Sequence, residues 1–252
     1  MRLMLNDRDF LRYSRQLLLE EFGVEGQQRL QRASVLIVGL GGLGAPAALW
    51  LAAAGVGKLL LADDDTLHIS NLQRQILYRS ADCGKAKAQL AQHQLQALNP
   101  EVEAIALAER MDEERLRTLL PQVDLVLDCS DNMTTRQAVN AACVAADKPL
   151  ISGSAVGFSG QLLAISPPWR HGCYRCLWPD NSEPQRNCRT AGVLGPVVGT
   201  IGTLQALEAL KMLAGLPSSL DGQLRLFDGR QQTWRTLNLT PDAGCPVCGG
   251  GK

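Results

Sequence analysis

The sequence predicts an α/β fold built on a mostly parallel sheet, and two observations carry that prediction. Short β-rich apolar runs alternate with longer helical stretches from residue 34 to residue 152. The first of these runs closes on a glycine cluster, Gly39-Leu40-Gly41-Gly42-Leu43-Gly44, that opens a helix. The chain has 252 residues, 46% of them hydrophobic, enough to bury a substantial core without disulfide staples. Its 25 Lys and Arg balance 25 Asp and Glu, which argues against the basic face that bulk nucleic-acid or membrane-surface binding wants.

The elements follow in order. Residues 7–20 read as a helix capped by Asn6 or Asp7, with Phe10, Tyr13, Leu17 and Leu18 near helical spacing. Residues 34–38 form a buried strand, 43–54 an Ala/Leu helix, and 58–62 a second buried strand closing on Asp63-Asp64-Asp65. A helix over 85–98 stops at Asn99-Pro100. Strand 102–107, helix 112–120, strand 123–127 and helix 134–146 come next, and a fifth strand starts at 149–152. The pattern then changes. Residues 160–165 are a strand, 167–191 a long Cys- and Pro-bearing loop, and 196–214 an apolar helix. Residues 224–227 and 233–239 flank Asp228-Gly229-Arg230-Gln231-Gln232 as a β-hairpin. No composition shift forces a boundary, so 9–249 reads as a single domain whose portion from 160 to 249 carries the metal ligands described below.

Two compartment questions have answers here. Residues 190–207 are uncharged, but four glycines, Pro196 and polar side chains interrupt them, and Glu208 and Lys211 follow; this predicts a buried helix rather than a membrane span. Met1 to Leu5 run directly into Asn6-Asp7-Arg8-Asp9, so no signal-peptide apolar stretch is present and a reducing, cytoplasmic setting is expected.

A Rossmann-like nucleotide site is the expectation at the glycine cluster. Glycines there allow a tight turn and let phosphate approach backbone N–H groups at a helix N-terminus. Asp63 ends the next strand, 19 residues after Gly44, where a carboxylate can accept from ribose hydroxyls. The competing reading is a βα turn that merely packs closely. The motif usually suggests NAD, but its neighbours argue for ATP. Asn71, Arg74 and Lys87 follow the acidic strand end, and the two cations suit a triphosphate. Asp131, after the fourth strand, can hold Mg²⁺.

Eight cysteines divide into groups. Cys173-Tyr174-Arg175-Cys176 and Cys245-Pro246-Val247-Cys248 supply four thiolates, a closed zinc set; the alternative is a redox Cys-x-x-Cys, which would sit on a helix N-terminus, and neither pair is expected to. The 68 residues between the pairs exceed zinc-ribbon spacing, so the metal would tie the C-terminal tail to the central loop. Cys129 and Cys143 read as core fillers, and Cys83 has no clear role. Cys188 lies between Arg186 and Arg189 in a polar loop, where adjacent cations favour thiolate; the bland reading is an ordinary exposed thiol.

Taken in order, Arg12 to Gln16, Gly39 to Gly44, Ser70 to Gln75, Asp128 to Asn132 and the two Cys-x-x-Cys pairs resemble the bacterial adenylyltransferases that activate ubiquitin-like sulfur carriers. These form the ThiF/MoeB/HesA family, relatives of the ubiquitin-activating enzymes. The resemblance spans about residues 9–249. It implies that Gly39, Gly41, Gly42 and Gly44 meet phosphate and Asp63 the ribose. Asn71, Arg74 and Lys87 would grip phosphates, Asp131 would bind Mg²⁺ beside Asn132, and Arg15 would reach the ATP of the other subunit of a homodimer. It also implies that Cys188 can join the carrier covalently during sulfur transfer, after adenylation. Pro167-Pro168-Trp169, Cys173 to Asp180 and Arg186 to Gly192 are similar to the ThiF branch. The implied activity is ATP-dependent adenylylation of a carrier's C-terminal Gly-Gly carboxylate in thiamine thiazole synthesis, with a sulfur-donor protein as a possible further partner. The same reaction on a molybdopterin-synthase carrier and an NAD(P)-dependent oxidoreductase are the alternatives.

Overall fold

The computed structural model describes residues 5–179, 182 and 188–249, with the backbone alone for Cys188 and Arg189. Helix α1 (Asp7–Leu17) starts in a capping box: Asn6 Oδ1 accepts from the Asp9 N–H and Asp9 Oδ2 from the Asn6 N–H. It ends three residues earlier than its apolar spacing predicts. Tyr13 is its buried anchor, while Phe10 and Leu18 lie exposed. Helix α2 (Gly23–Arg32) follows, an element not read from the sequence. Then come β1 (Ser34–Val38), α3 (Gly44–Ala54), β2 (Lys58–Ala62), α4 (Lys87–Leu98), β3 (Glu103–Leu107), α5 (Glu113–Leu119) and β4 (Leu125–Asp128). Next are α6 (Met133–Ala145), β5 (Leu150–Val156) and β6 (Ser159–Ile165). The segment expected to be one long loop contains two single turns of helix, α7 (Tyr174–Leu177) and α8 (Cys188–Ala191). Helix α9 (Gly195–Ala214) and the predicted hairpin, β7 (Gln223–Asp228) with β8 (Thr233–Asn238), complete the chain.

The eight strands form one sheet in the order β3-β2-β1-β4-β5-β6-β7-β8. The pairs from β3 to β5 are parallel, and those from β5 to β8 antiparallel. Parallel strands need covering on both faces, and each strand divides its side chains accordingly. On β1, Val35 and Ile37 enter the core under α3, α4 and α9, while Leu36 and Val38 face the core under α5, α6 and the Cys-bearing segment. Strand β8 is the free edge of the antiparallel end, and all six of its residues are exposed or nearly so.

Helix α9 is long and apolar enough to cross a membrane, yet half of its most apolar stretch is buried inside the protein. It packs on α3 and on β4 to β6. Its buried Gln205 donates Nε2 to the carbonyls of Asp128 and Ile151, at 2.9 and 3.2 Å, satisfying backbone acceptors of β4 and β5. A lipid-facing helix has no use for such a side chain, so the expectation of a core helix holds.

Candidate functional site

The chain reverses its winding between β1 and β4, and ligands of open α/β sheets bind at the carboxyl ends of the strands there. The glycine loop leaves β1 at this point. Gly39 has φ +90°, and a Cβ on it would meet the Cys129 carbonyl at 2.8 Å; one on Gly44 would sit 1.9 Å from the Gly39 oxygen. Both positions therefore require glycine, and the turn they make presents the N-terminus of α3. That helix has no side-chain cap; of its first N–H groups, that of Ala45 donates to the Gly41 carbonyl at 2.9 Å and Pro46 has none, so a phosphate there would meet the amides of the glycine turn itself.

Two acids and one lysine sit beside this loop. Asp63 Oδ2 accepts from the Leu40 N–H at 2.7 Å and Oδ1 from the Asp65 N–H at 2.9 Å, so the carboxylate ties β2 to the glycine turn. Each oxygen keeps a second lone pair for a hydroxyl donor. Burial raises the Asp63 carboxyl above the usual carboxylate range, while the Lys87 charge and these two hydrogen bonds hold it down. Lys87 is buried, and its Nζ donates to Asp65 Oδ2 at 2.5 Å. The sequence left Asp64 and Asp65 without a purpose; Asp65 is the counter-ion that lets the lysine be buried.

The segment from Asn71 to Tyr78 lies over the glycine loop. Arg74 donates Nη1 to the Ser70 carbonyl at 3.0 Å, and its Cγ is 3.3 Å from where a Cβ on Gly42 would stand. Gln75, buried, brings its Nε2 within 3.5 Å of the corresponding position on Gly41. Tyr78 donates its hydroxyl to the Leu40 carbonyl at 2.8 Å. Asn71 accepts the His68 N–H at 3.0 Å, which shapes the turn that carries Arg74.

Asp131 follows β4 and is exposed, and Asn132 caps α6 by accepting the Thr135 N–H at 2.9 Å. Buried Arg136 fixes the approach to them. It pairs with Asp128 at 3.2 Å, donates to Ser152 Oγ and the Gly153 carbonyl, and also holds the Ser130 carbonyl. Sequence reasoning missed Arg136, because a single arginine on a helix reads as solvated surface.

Arg15 lies away from this group. Tyr13 seats α1 against the C-terminal end of α3: its hydroxyl accepts from Asn99 Nδ2 at 2.9 Å, and Gln16 donates to the Ala54 carbonyl at 2.9 Å. The glycine loop is at the other end of α3, about 16 Å away for 11 residues at ~1.5 Å each. The structure thus brings the glycines, Asp63, Asn71, Arg74, Lys87, Asp131 and Asn132 to one edge of the sheet, and places Arg15 at another.

The four cysteines converge. Their sulfurs all lie within 4.8 Å of one another, with Cys173–Cys245 at 3.8 Å and Cys176–Cys248 at 3.5 Å. A tetrahedral ion with Zn–S near 2.3 Å sets S···S at about 3.8 Å, so the donors fit zinc in number, kind and spacing. Burial pushes the Cys173 thiol up to about 12, opposed by hydrogen bonds from Asn140 and from the backbone of Cys176 and Arg175. One expectation is corrected here: Cys173 is the N-cap of α7. With four residues that helix supplies almost no dipole, so the position lacks the activation that a long helix gives a redox cysteine at its N-terminus. Cys129 and Cys143 are buried and their thiols raised by that burial, as core fillers; Cys83 is exposed. Arg186 and the side chains of Cys188 and Arg189 lie outside the described residues, though the backbone of Cys188 opens the short helix α8 instead of lying in a loop.

Residues 13–247 match the ThiF family. The Escherichia coli sulfur carrier protein ThiS adenylyltransferase is 60% identical over 246 residues, covering 98% of both chains. The Escherichia coli molybdopterin-synthase adenylyltransferase is 43% identical over 245 residues, covering 97% of this chain and 98% of its own. Among solved structures, that of E. coli MccB with ATP superposes with a TM-score of 0.81 at 27% identity, over 94% of this chain and 73% of that one.

Proposed function

The chain belongs to the ThiF family, and on that premise we propose that it adenylylates the C-terminal glycine carboxylate of a ThiS-type sulfur carrier with ATP, in thiamine thiazole synthesis. The observation that carries the reading is the gathering of the glycine turn, Asp63, Arg74 and buried Lys87 at one switch point. The higher identity to the ThiS enzyme than to the molybdopterin one favours the carrier.

The carrier carboxylate attacks the α-phosphorus of ATP. A carboxylate oxygen–phosphorus bond forms, the bond to the α–β bridging oxygen breaks, and pyrophosphate leaves with that electron pair. Both reactants are anions, so the protein's work is positioning and charge stabilisation. Gly39, Gly41, Gly42 and Gly44 clear the space in which backbone amides meet phosphate. Asp63 takes the ribose hydroxyls on its free lone pairs. Lys87, released in part from Asp65, joins Arg74 and Asn71 on the phosphates. Asp131 and Asn132 would hold Mg²⁺ bound to ATP, and that ion would neutralise charge on the phosphates. Arg15 is too far from its own glycine loop to take part there, which supports a contribution to the partner's site in a homodimer. The exposed Leu11 on α1, Leu18 just past its end, Trp50 on α3 and Leu207 on α9 supply apolar surface for such a dimer.

The four cysteines hold zinc as a closed structural site; a reducing cytoplasm keeps them out of disulfides, and the metal holds them as thiolates. Cys188 acts after adenylation: its thiolate attacks the acyl carbon of the adenylate, the carbon–sulfur bond of a thioester forms, the acyl–oxygen bond breaks, and AMP leaves with that electron pair. ATP–pyrophosphate exchange with each candidate carrier, followed by the mass of the carrier, tests the whole reading. A ThiS-type carrier should support exchange and gain AMP. Exchange only with the molybdopterin-type carrier would move the protein to that branch, and exchange with none would refute the reading.

A further inference from the structure

The face of α6 that packs on the zinc segment is polar. Met133, Arg136, Gln137 and Asn140 recur at i, i+3, i+4 and i+7, and each but the first would ordinarily face water. Here Met133 Sδ accepts the Tyr174 hydroxyl at 3.7 Å, and Gln137 donates to the Trp178 carbonyl at 2.7 Å. Asn140 is fully buried, and its carboxamide makes two bonds to the start of α7. Its Oδ1 accepts from the Tyr174 N–H at 2.9 Å, and its Nδ2 lies 3.5 Å from Cys173 Sγ. The orientation of this carboxamide is fixed by chemistry. A backbone N–H can only donate, so the oxygen must face Tyr174, and the NH₂ is left to face the sulfur.

We propose that Asn140 is the positioning residue of the metal site, donating a hydrogen bond to the Cys173 thiolate and locking that thiolate toward the ion. This rests on the reading of the four cysteines as a zinc site. Four thiolates around a divalent cation leave two net negative charges among buried residues, and a donor to sulfur disperses that charge. The Tyr174 bond from the other end of the same carboxamide sets where Cys173 stands, one residue earlier. Outer-sphere partners of this kind orient the ligands and tune how tightly the metal is held.

The full-length protein loaded with zinc is challenged with a colorimetric chelator. Asn140→Asp keeps the acceptor for Tyr174 but turns a carboxylate toward the thiolate, and Asn140→Ser removes both bonds. Each should hold zinc about 10–100-fold more weakly than wild type. A second measurement needs no variant. In wild-type protein exchanged with ¹¹³Cd, a through-hydrogen-bond ¹H–¹¹³Cd correlation should connect the metal to a side-chain carboxamide, assigned to Asn140. If folded variants retain zinc as wild type does, or the carboxamide correlation is absent from a spectrum showing the metal's backbone amide correlations, the inference falls while the zinc reading stands. If wild-type protein holds no zinc, both fall. None of these readouts depends on adenylation, so the fate of the proposed activity is decided separately.

Discussion

Removing one ligand of the cysteine cluster should melt the protein well before it stops the chemistry. The C-terminal segment after β8 has local backbone hydrogen bonds, from the Cys245 N–H to Asp242 and from the Gly249 N–H to Cys245. Its attachment to the α7 segment runs through the cluster, across 68 intervening residues. Treated as a cross-link, a closed loop of ~70 residues removes about 4 kcal/mol of entropy from the unfolded chain. At roughly 2–4 °C per kcal/mol for a domain of this size, Cys245→Ser or complete chelation should lower Tm by about 10 °C. Calorimetric scans of the zinc-loaded wild type, of Cys245→Ser and of the chelated protein, with metal analysis of each, give the shift. Exchange activity is then compared at a temperature where both proteins are folded, and it should be retained, because four thiolates leave no coordination position for a substrate. A shift below ~2 °C would refute the cross-link argument. Equal Tm values with lost exchange would make the metal part of the chemistry.

Three further outcomes follow from the nucleotide end. In Lys87→Met the Asp63 carboxyl loses the charge that holds it down and rises further; a raised carboxyl binds its proton more tightly in the folded state, so stability falls as pH climbs past the ordinary value of 3.8. The destabilisation measured by urea midpoints should therefore be smallest near about pH 4 and grow toward about pH 7, and a pH-independent difference would contradict the Lys87–Asp63 coupling. Arg15→Ala and Asp131→Ala should each reduce pyrophosphate exchange on the order of 100-fold or more, while a statistical mixture of the two recovers about a quarter of wild-type activity, since half the dimers keep one intact composite site. No recovery in verified mixed dimers counts against a shared site. Cys188→Ser should leave exchange intact and abolish any thiol-releasable adduct with the carrier; a loss as deep as in Asp131→Ala, in folded protein, would contradict a role confined to the later step.

The parallel half of the fold was legible because its signals are local. Apolar runs such as 34–38 and 58–62 end on glycine or aspartate, and the observed strands match them residue for residue. Helix α2 was invisible because Gly23 and Gly26 dilute its propensity and only Gly26, Gln27 and Leu30 are buried. The end of α1 was overdrawn because Leu18 and Leu19 continue the apolar pattern although both are exposed. In the site, residues carried by a recognisable motif were legible, and partners supplied only by packing were not. Asp65 reaches Lys87 across 22 positions through the geometry of β2 and α4. The buried polar face of α6 looks like a solvated face until the cysteine-bearing segment is laid on it. Gln75 carries no charge to draw attention, yet it fills the space above Gly41.

The placement of α9 has a consequence for the order in which the chain can fold during synthesis. By Val156 the ribosome has delivered all five parallel strands, with α2 to α6. The core face of β4 and β5 still lacks its cover, because Val198, Ile201, Ala206 and Ala209 pack against Leu125, Leu127 and Ile151. Those residues arrive some 40–55 positions later, a wait of roughly 2–10 s at ordinary translation rates. For that interval the nascent chain shows an open apolar sheet face, and the apolar α9 that will close it is itself emerging. The helix that makes this fold stable is thus also what makes its birth a client problem: chaperone binding to stalled nascent chains should be strongest once Val156 has left the exit tunnel and fall once Ala214 has cleared it.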